Sequence, residues 1–201
     1  MATGEDVLKI AGKHVGERYI LGALAPKNNA DWRGPWDCAE FTSWCVFQAA
    51  SVLYGCDDNR TNPARADAFT GFWARDARAL GRKIPVAKAA RIPGAAVLRI
   101  SRGARIGHIV FSDGLGGTVE AHSTRQGVKR DTLSNRRWDT GILVPGIDYN
   151  VGEEAVLIAP PPKIFRLTSP LMRGPVVRRI QTQLKAKGFN PGPIDGVLGS
   201  K

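Results

Sequence analysis

Three side chains in this chain have the types and spacing that nucleophilic chemistry requires: Cys38, His108 and His122. Cys38 follows Asp37 at the amino end of a stretch in which Phe41, Trp44, Cys45, Ala49 and Val52 recur at three- and four-residue intervals, the period of one buried helical face. Asp37 is placed to cap that helix. The unpaired amides and the dipole of a helix amino end favour anions, so the Cys38 thiol pKa is expected to fall. The same amides can stabilise the oxyanion formed when a thiolate attacks an acyl carbon. His108 and His122 lie on either side of the turn Asp113-Gly114-Leu115-Gly116-Gly117. A loop of Gly114 to Gly116 pairs Asp113 with Gly117. Counting back along both strands then sets the two imidazoles opposite each other on one face, with β-carbons about 5 Å apart. Beside a thiol, one imidazole takes the proton and a second polar group holds that imidazole in a productive tautomer and orientation. Reach to Cys38 decides which histidine does which. His14, on the first helix, reads as a surface residue.

These residues need a scaffold, and the pattern supplies one. Thr3 and Asp6 form an N-cap pair for a first helix carrying Val7, Leu8, Ile10, Ala11 and Val15 and ending at Gly16. Residues Leu21 to Pro35 are rich in Gly, Pro, Asn and Asp and read as a long loop. The second helix is expected over Cys38 to Val52. A third is expected over Asp67 to Leu80, with Phe69, Phe72, Trp73, Ala77 and Leu80 inward. After Pro93-Gly94 the period becomes that of strands: Ala96 to Ile100, Ile106 to Ser112, Thr118 to Ser123, Gly127 to Asp131 and Gly141 to Val144. Helices followed by an antiparallel sheet make an α+β fold. The prolines of Leu157-Ile158-Ala159-Pro160-Pro161-Pro162-Lys163 favour an extended tether. The expected organisation is therefore a domain over 1–156, a Pro-rich linker over 157–166 and a small helical module over 167–201. In that module Val176, Val177, Ile180 and Leu184 mark a helix capped by Gly188.

Composition narrows the function classes. With 201 residues, 43% hydrophobic and 23% charged, the chain is long enough for one buried core plus an appendage. It has no run of roughly 18 apolar residues to span a membrane. The start Met1-Ala2-Thr3-Gly4-Glu5-Asp6 has no secretory signal pattern. Three cysteines, Cys38, Cys45 and Cys56, are too few for a disulfide scaffold and wrongly spaced for structural zinc. Cys45 is expected in the core, and Cys56 as a free buried thiol. A net charge of +11 predicts attraction to polyanions. The basic residues, among them Arg102, Arg105, Lys129, Arg130, Arg136, Arg137, Arg178 and Arg179, are dispersed and carry no nucleic-acid motif. Anionic envelope polymers are the better partners, with no specific nucleic acid.

Tyr19-Ile20-Leu21-Gly22, Gly34-Pro35-Trp36-Asp37-Cys38-Ala39-Glu40-Phe41, Pro93-Gly94, Gly107-His108-Ile109-Val110 and Glu120-Ala121-His122 together resemble the NlpC-type peptidases, which are papain-like cell-wall hydrolases. The resemblance spans roughly Glu5 to Pro145. It implies a papain-like α+β domain in which N-terminal helices pack on an antiparallel sheet. It also implies Cys38 as nucleophile, His108 as base and His122 as the orienting residue. Tyr19 and Asp37 match the family's site-lining tyrosine and its aspartate before the cysteine. Trp36, with Trp32, flanks the nucleophile and is a candidate wall of the substrate site, although loop tryptophans more often pin a loop to the core. Departures are Ala39-Glu40 in place of Ser-Gly, Ala95 in place of Asp, and Val110-Phe111 in place of Gly-Ile. The first of these is expected to alter the shape and charge of the groove. Leu171, Gly174, Val176, Val177, Ile180-Gln181, Leu184, Gly188 and Asp195-Gly196 are similar to the first half of a peptidoglycan-binding helical repeat, making the module a partial one.

The implied function is hydrolysis of a peptide or isopeptide bond in peptidoglycan stem peptides through a thioester, with no cofactor and no metal. The expected place of action is the periplasm or cell wall, reached by phage lysis or a dedicated secretion route. An amidase or acyl transferase with the same three residues, a non-catalytic wall-binding protein and a structural zinc protein are the alternatives.

Overall fold

A computed structural model describes residues 1–80, 82–103, 106–149, 173–186 and 188–197. The chain divides into two compact units, Met1–Val156 and Leu157–Lys201. The tether expected over 157–166 and the first module residues, 167–172, lie outside the described residues, as does Arg105.

In the first unit β1 (Ala2–Thr3) leads into α1 (Gly4–Gly12). Thr3 and Asp6 form the expected capping box, each side chain bonding the other's backbone amide, Asp6 N to Thr3 Oγ1 at 3.1 Å and Thr3 N to Asp6 Oδ2 at 2.9 Å. The helix stops at Gly12, one turn before the expected Gly16. α2 (Cys38–Ala50) is capped by Asp37, whose carboxylate accepts from the Ala39 amide at 2.9 Å. It ends at Ser51 in the left-handed region. Every residue from Cys38 to Val46 is buried, so α2 is a central helix covered on all sides. α3 (Thr70–Ala79) is shorter than expected. Trp73 and Ala77 face inward as expected, but Phe69 and Leu80 are both 53% exposed. These two flank the helix ends, where the helical period no longer fixes the side-chain direction. α4 (Val86–Ala89) is a single turn between β2 (Lys83–Ile84) and the main strands.

The sheet is antiparallel, with strand order β2, β7 (Thr140–Ile142), β3 (Ala96–Arg99), β4 (His108–Ser112), β5 (Gly117–Ser123) and β6 (Gly127–Thr132). A short β8 (Ile147–Asp148) pairs in parallel with β1. The β4–β5 turn has the expected register: Asp113 N bonds Gly117 O at 3.1 Å, and Phe111 faces Val119. α2 packs on β4, β5 and α1. Buried Phe41, Trp44, Val97, Leu98, Ile109, Phe111, Val119 and Ile142 fill the layer between helices and sheet. At about 25 cal/mol per Å² of apolar surface, such burial is the main force holding helix and sheet together. The first unit thus has the expected α+β, papain-like layout.

Two glycines are required by the packing. Gly94 has φ +74°, and a β-carbon there would stand 2.1 Å from the Gly4 carbonyl oxygen, so Pro93-Gly94 lets α1 dock against the sheet. Gly107 leaves no room for a β-carbon either, since one would lie 2.4 Å from Thr70 Oγ1. The chain therefore enters β4 hard against α3, immediately before His108.

The second unit is described by α5 (Pro175–Ala186) and the segment after it. Val177 and Gln181 are buried positions of this helix. Gln181 bonds Asp195 Oδ1 at 3.1 Å and accepts from the Gly196 amide at 2.8 Å, joining two of the motif pieces singled out in the sequence. Gly188, with φ +84°, follows the helix end as expected of a cap. Among the described residues no helix is long and apolar enough to cross a membrane.

Candidate active site

Backbone pairing brings the residues around Cys38 together. Residues 18–20 run alongside Trp36, with Ile20 N bonding Trp36 O and Trp36 N bonding Arg18 O, both at 2.9 Å. This sets the buried Tyr19 beside the start of α2, where burial, and then the nearby Cys38 and Asp37, raise the pKa of its hydroxyl. Asp37 uses Oδ1 for the Ala39 amide and Oδ2 for the Gly22 amide at 3.1 Å. It thereby fastens the preceding loop to the helix end. α2 packs on β4, the strand that carries His108, and the Ile109 amide of that strand is near enough to favour the Cys38 thiolate.

The thiol is only 5% exposed. Burial pushes its pKa up to about 12, and Asp37 pushes in the same direction, against the amides of Ile109 and Ala39. The expected depression is therefore corrected. The helix end does supply an amide to the sulfur, but removing the thiolate from water and setting a carboxylate beside it costs more than that amide returns. The resting group is a neutral thiol.

His108 is buried, and its Nε2 lies 2.5 Å from Glu120 Oε2. Glu120 is fully buried and also receives Arg136 Nη1 at 2.6 Å, Arg136 Nη2 at 2.8 Å and Thr118 Oγ1 at 2.6 Å. Burial alone would raise this carboxyl, but Arg136, His108 and Thr118 together hold it well below the usual carboxylate range. An ionised carboxylate only accepts, so Nε2 of His108 is the donor; in an imidazole carrying that one proton, Nδ1 is the acceptor. Trp138 lies over the imidazole, with ring centroids 6.1 Å apart at a 30° tilt, and the Arg136 guanidinium sits 4.7 Å above the Trp138 ring.

The partner expected for His108 was His122. The two rings do meet, with centroids 5.9 Å apart in an edge-on contact. The hydrogen bond, however, goes to Glu120, two residues earlier and diagonal to His108 across the hairpin. β5 is irregular between Ala121 and Ser123, and half-buried His122 turns its Nδ1 to Ser123 Oγ at 3.1 Å. Burial lowers its pKa. The signal for Glu120 was present in the sequence, since side chains two apart on one strand share a face and diagonal pairs remain within reach of long side chains.

Other expectations need correction. Trp36 is fully buried, packed edge-on against His14, Phe41 and Trp44, with Nε1 donating to Glu17 at 2.5 Å. It pins the loop and offers no face to a substrate. His14 is not on the surface. It is 2% exposed, lies in the same aromatic cluster and places Nδ1 3.0 Å from Glu17. Glu40 adds no charge to a groove, because it points into the core at Lys27 and receives the amides of Ala25 and Ala68. Burial raises its pKa to about 7, opposed by Lys27. Cys45 and Cys56 are free and buried, as expected. Among the described residues no group of three or more His, Cys, Asp or Glu side chains could hold a metal ion.

Comparison with solved structures bears on the fold. The chain is similar to the peptidoglycan hydrolase RipB from Mycobacterium tuberculosis, at 20% identity and a TM-score of 0.51, over 73% of this chain and 65% of that one. The first unit has the papain-like NlpC/p60 fold. The NlpC/p60 domain of the peptidoglycan hydrolase SagA aligns at 20% identity and TM-score 0.49, over 71% of this chain and 99% of that one. The P60 domain of an antigen from M. avium subspecies paratuberculosis aligns at 21% identity and TM-score 0.47, over 69% of this chain and 91% of that one. No family model and no curated protein matches the chain. The likeness to RipB shows the fold alone; roles for individual side chains rest on the geometry above.

Proposed function

We propose that the chain is a peptidoglycan hydrolase of the cysteine-peptidase type, cleaving a peptide or isopeptide bond in cell-wall stem peptides. The observation that carries this reading is the chain of hydrogen bonds from Arg136 through buried Glu120 to His108, with Cys38 at the amino end of α2, the helix that packs on β4. In this reading His108 Nδ1 takes the Cys38 proton as the sulfur attacks the acyl carbon. Glu120 holds the ring and balances the imidazolium that forms, the part first assigned to His122. Because the resting thiol is neutral, proton transfer accompanies attack instead of preceding it. Amides at the open end of α2 face the developing oxyanion. His108 then protonates the leaving amine, and water releases the acyl group from the thioester.

Tyr19 and Asp37 order the wall of the site beside the sulfur. The solved peptidoglycan hydrolases of the same fold and the basic chain both support a wall substrate and action in the periplasm or cell wall. The second unit, in the same reading, is a partial wall-binding module. Mass spectrometry of muropeptides after digestion by the wild type and by Cys38→Ala tests the proposal. New fragments that share one cleavage position and vanish in the variant are expected; wild-type protein that leaves the wall intact overturns it.

A further inference from the structure

Glu120 takes the orienting part, yet His122 still stands in ring contact with the base, centroids 5.9 Å apart. The ladder between β5 and β6 shows how it is placed. Ala121 pairs with Val128 and Ser123 with Gly127, so His122 is the extra residue of a β-bulge, with no partner across that ladder. A bulge releases a side chain from the alternation of the strand and aims it anew, often next to a site. The imidazole is half-buried, so water still reaches it. Its Nδ1 lies 3.1 Å from Ser123 Oγ, and its Nε2 has no hydrogen-bond partner among the described residues. Two other neighbours of the His108 ring are committed. Glu120 receives His108, Arg136 and Thr118, and the Trp138 indole donates to Leu133 O at 3.1 Å.

Burial lowers the His122 pKa, which keeps the ring neutral near pH 7. A neutral imidazole has one nitrogen that donates and one that accepts, so Nε2 can hold a water in either tautomer. Two imidazoles at this separation, not bonded to each other, are spanned by one water making two hydrogen bonds of about 2.8 Å. We propose that His122 is a catalytic residue of the second half-reaction, holding through Nε2 the water that releases the acyl group from Cys38. The assignment rests on the hydrolase reading and adds the group that selects water as the acceptor. In that step the water oxygen bonds to the acyl carbon and the carbon–sulfur bond breaks. The water proton passes to His108 Nδ1 and on to the sulfur, leaving a carboxylic acid and the free thiol. A water already positioned outruns dissolved amines, so His122 biases the site towards hydrolysis and away from acyl transfer.

Acid-quenched single-turnover kinetics of the full-length protein separates the two halves of the reaction. The substrates are a stem peptide and a thioester of the same acyl group, each with and without added glycinamide. His122→Leu keeps the bulk against His108 and removes the ring nitrogen. It should slow loss of the Cys38 acyl adduct by roughly 10- to 100-fold, the scale of one positioned hydrogen bond. Acylation, and with it kcat/KM on the peptide, should change little, which also shows that the variant is folded. The share of acyl groups captured by glycinamide should rise. His122→Gln, whose side-chain amide reaches towards the place of Nε2, should recover part of the hydrolysis. Equal slowing of acylation and deacylation makes His122 a packing support and overturns the proposal, as does an unchanged adduct lifetime or an unchanged captured share. Each of those results leaves the hydrolase reading standing, because the adduct still forms. A wild type that acylates Cys38 with neither substrate overturns the hydrolase reading, and this inference with it.

Discussion

At the residue scale the account depends on which group orients His108. Glu120 makes the hydrogen bond and His122 makes only a ring contact, so the two substitutions should separate. Glu120→Gln leaves the shape but removes the charge that fixes the tautomer and supports the imidazolium. It should lower kcat/KM by roughly 10²- to 10⁴-fold. His122→Ala should cost less than tenfold if its role is confined to packing, on the scale of interactions worth about 1 kcal/mol. Steady-state kinetics on one muropeptide decides between them. A second expectation concerns the sulfur. With its pKa raised by burial, Cys38 is a small thiolate fraction at neutral pH. Iodoacetamide labelling should be slow there and climb through the alkaline range without a plateau below about pH 9. A plateau beginning in mild acid would show a preformed ion pair with His108. Glu120 escaped the sequence reading because exact cross-strand opposition favoured His122. The irregularity in β5 and the arrival of Arg136 from a loop beyond β6 are not local properties of either strand.

At the element scale, the parts that position Cys38 were largely legible. Thr3 and Asp6 marked the start of α1, Asp37 marked the start of α2, and the glycine turn set the β4–β5 register, because caps and tight turns are determined by neighbours in sequence. What lies against a helix is not so determined. His14 reads as a polar residue on a short amphipathic helix until the 32–36 loop folds over it and supplies Trp36. Glu40 likewise reads as a first-turn acid, whereas the structure uses it to bind the loops at Ala25 and Ala68 to α2. Lys27→Met would leave that carboxylate buried with amides only. A loss of about 3 kcal/mol or more is expected in urea unfolding, with activity per folded molecule retained, because the pair faces away from Cys38.

At the scale of the whole molecule, the net charge of +11 bears on where the proposed activity takes place. Dispersed surface charge acts over about a Debye length, ~10 Å at 0.1 M salt. Raising salt should therefore weaken the action of the full chain on intact, anionic sacculi several-fold, while leaving turnover of a small soluble muropeptide nearly unchanged. Parallel assays at low and high salt measure this directly. Equal salt sensitivity on both substrates would assign the charge effect to the proposed site around Arg136 and Glu120.

The kinetic expectations require that the acyl group pass through the Cys38 sulfur. Acid-quenching the full-length protein during turnover of a stem peptide, followed by peptide mass spectrometry, observes that step. The account predicts an acyl adduct on the peptide containing Cys38, accumulating more slowly when Glu120 is replaced by Gln. Bond cleavage that continues in Cys38→Ala, with no adduct on the wild-type sulfur, would contradict it.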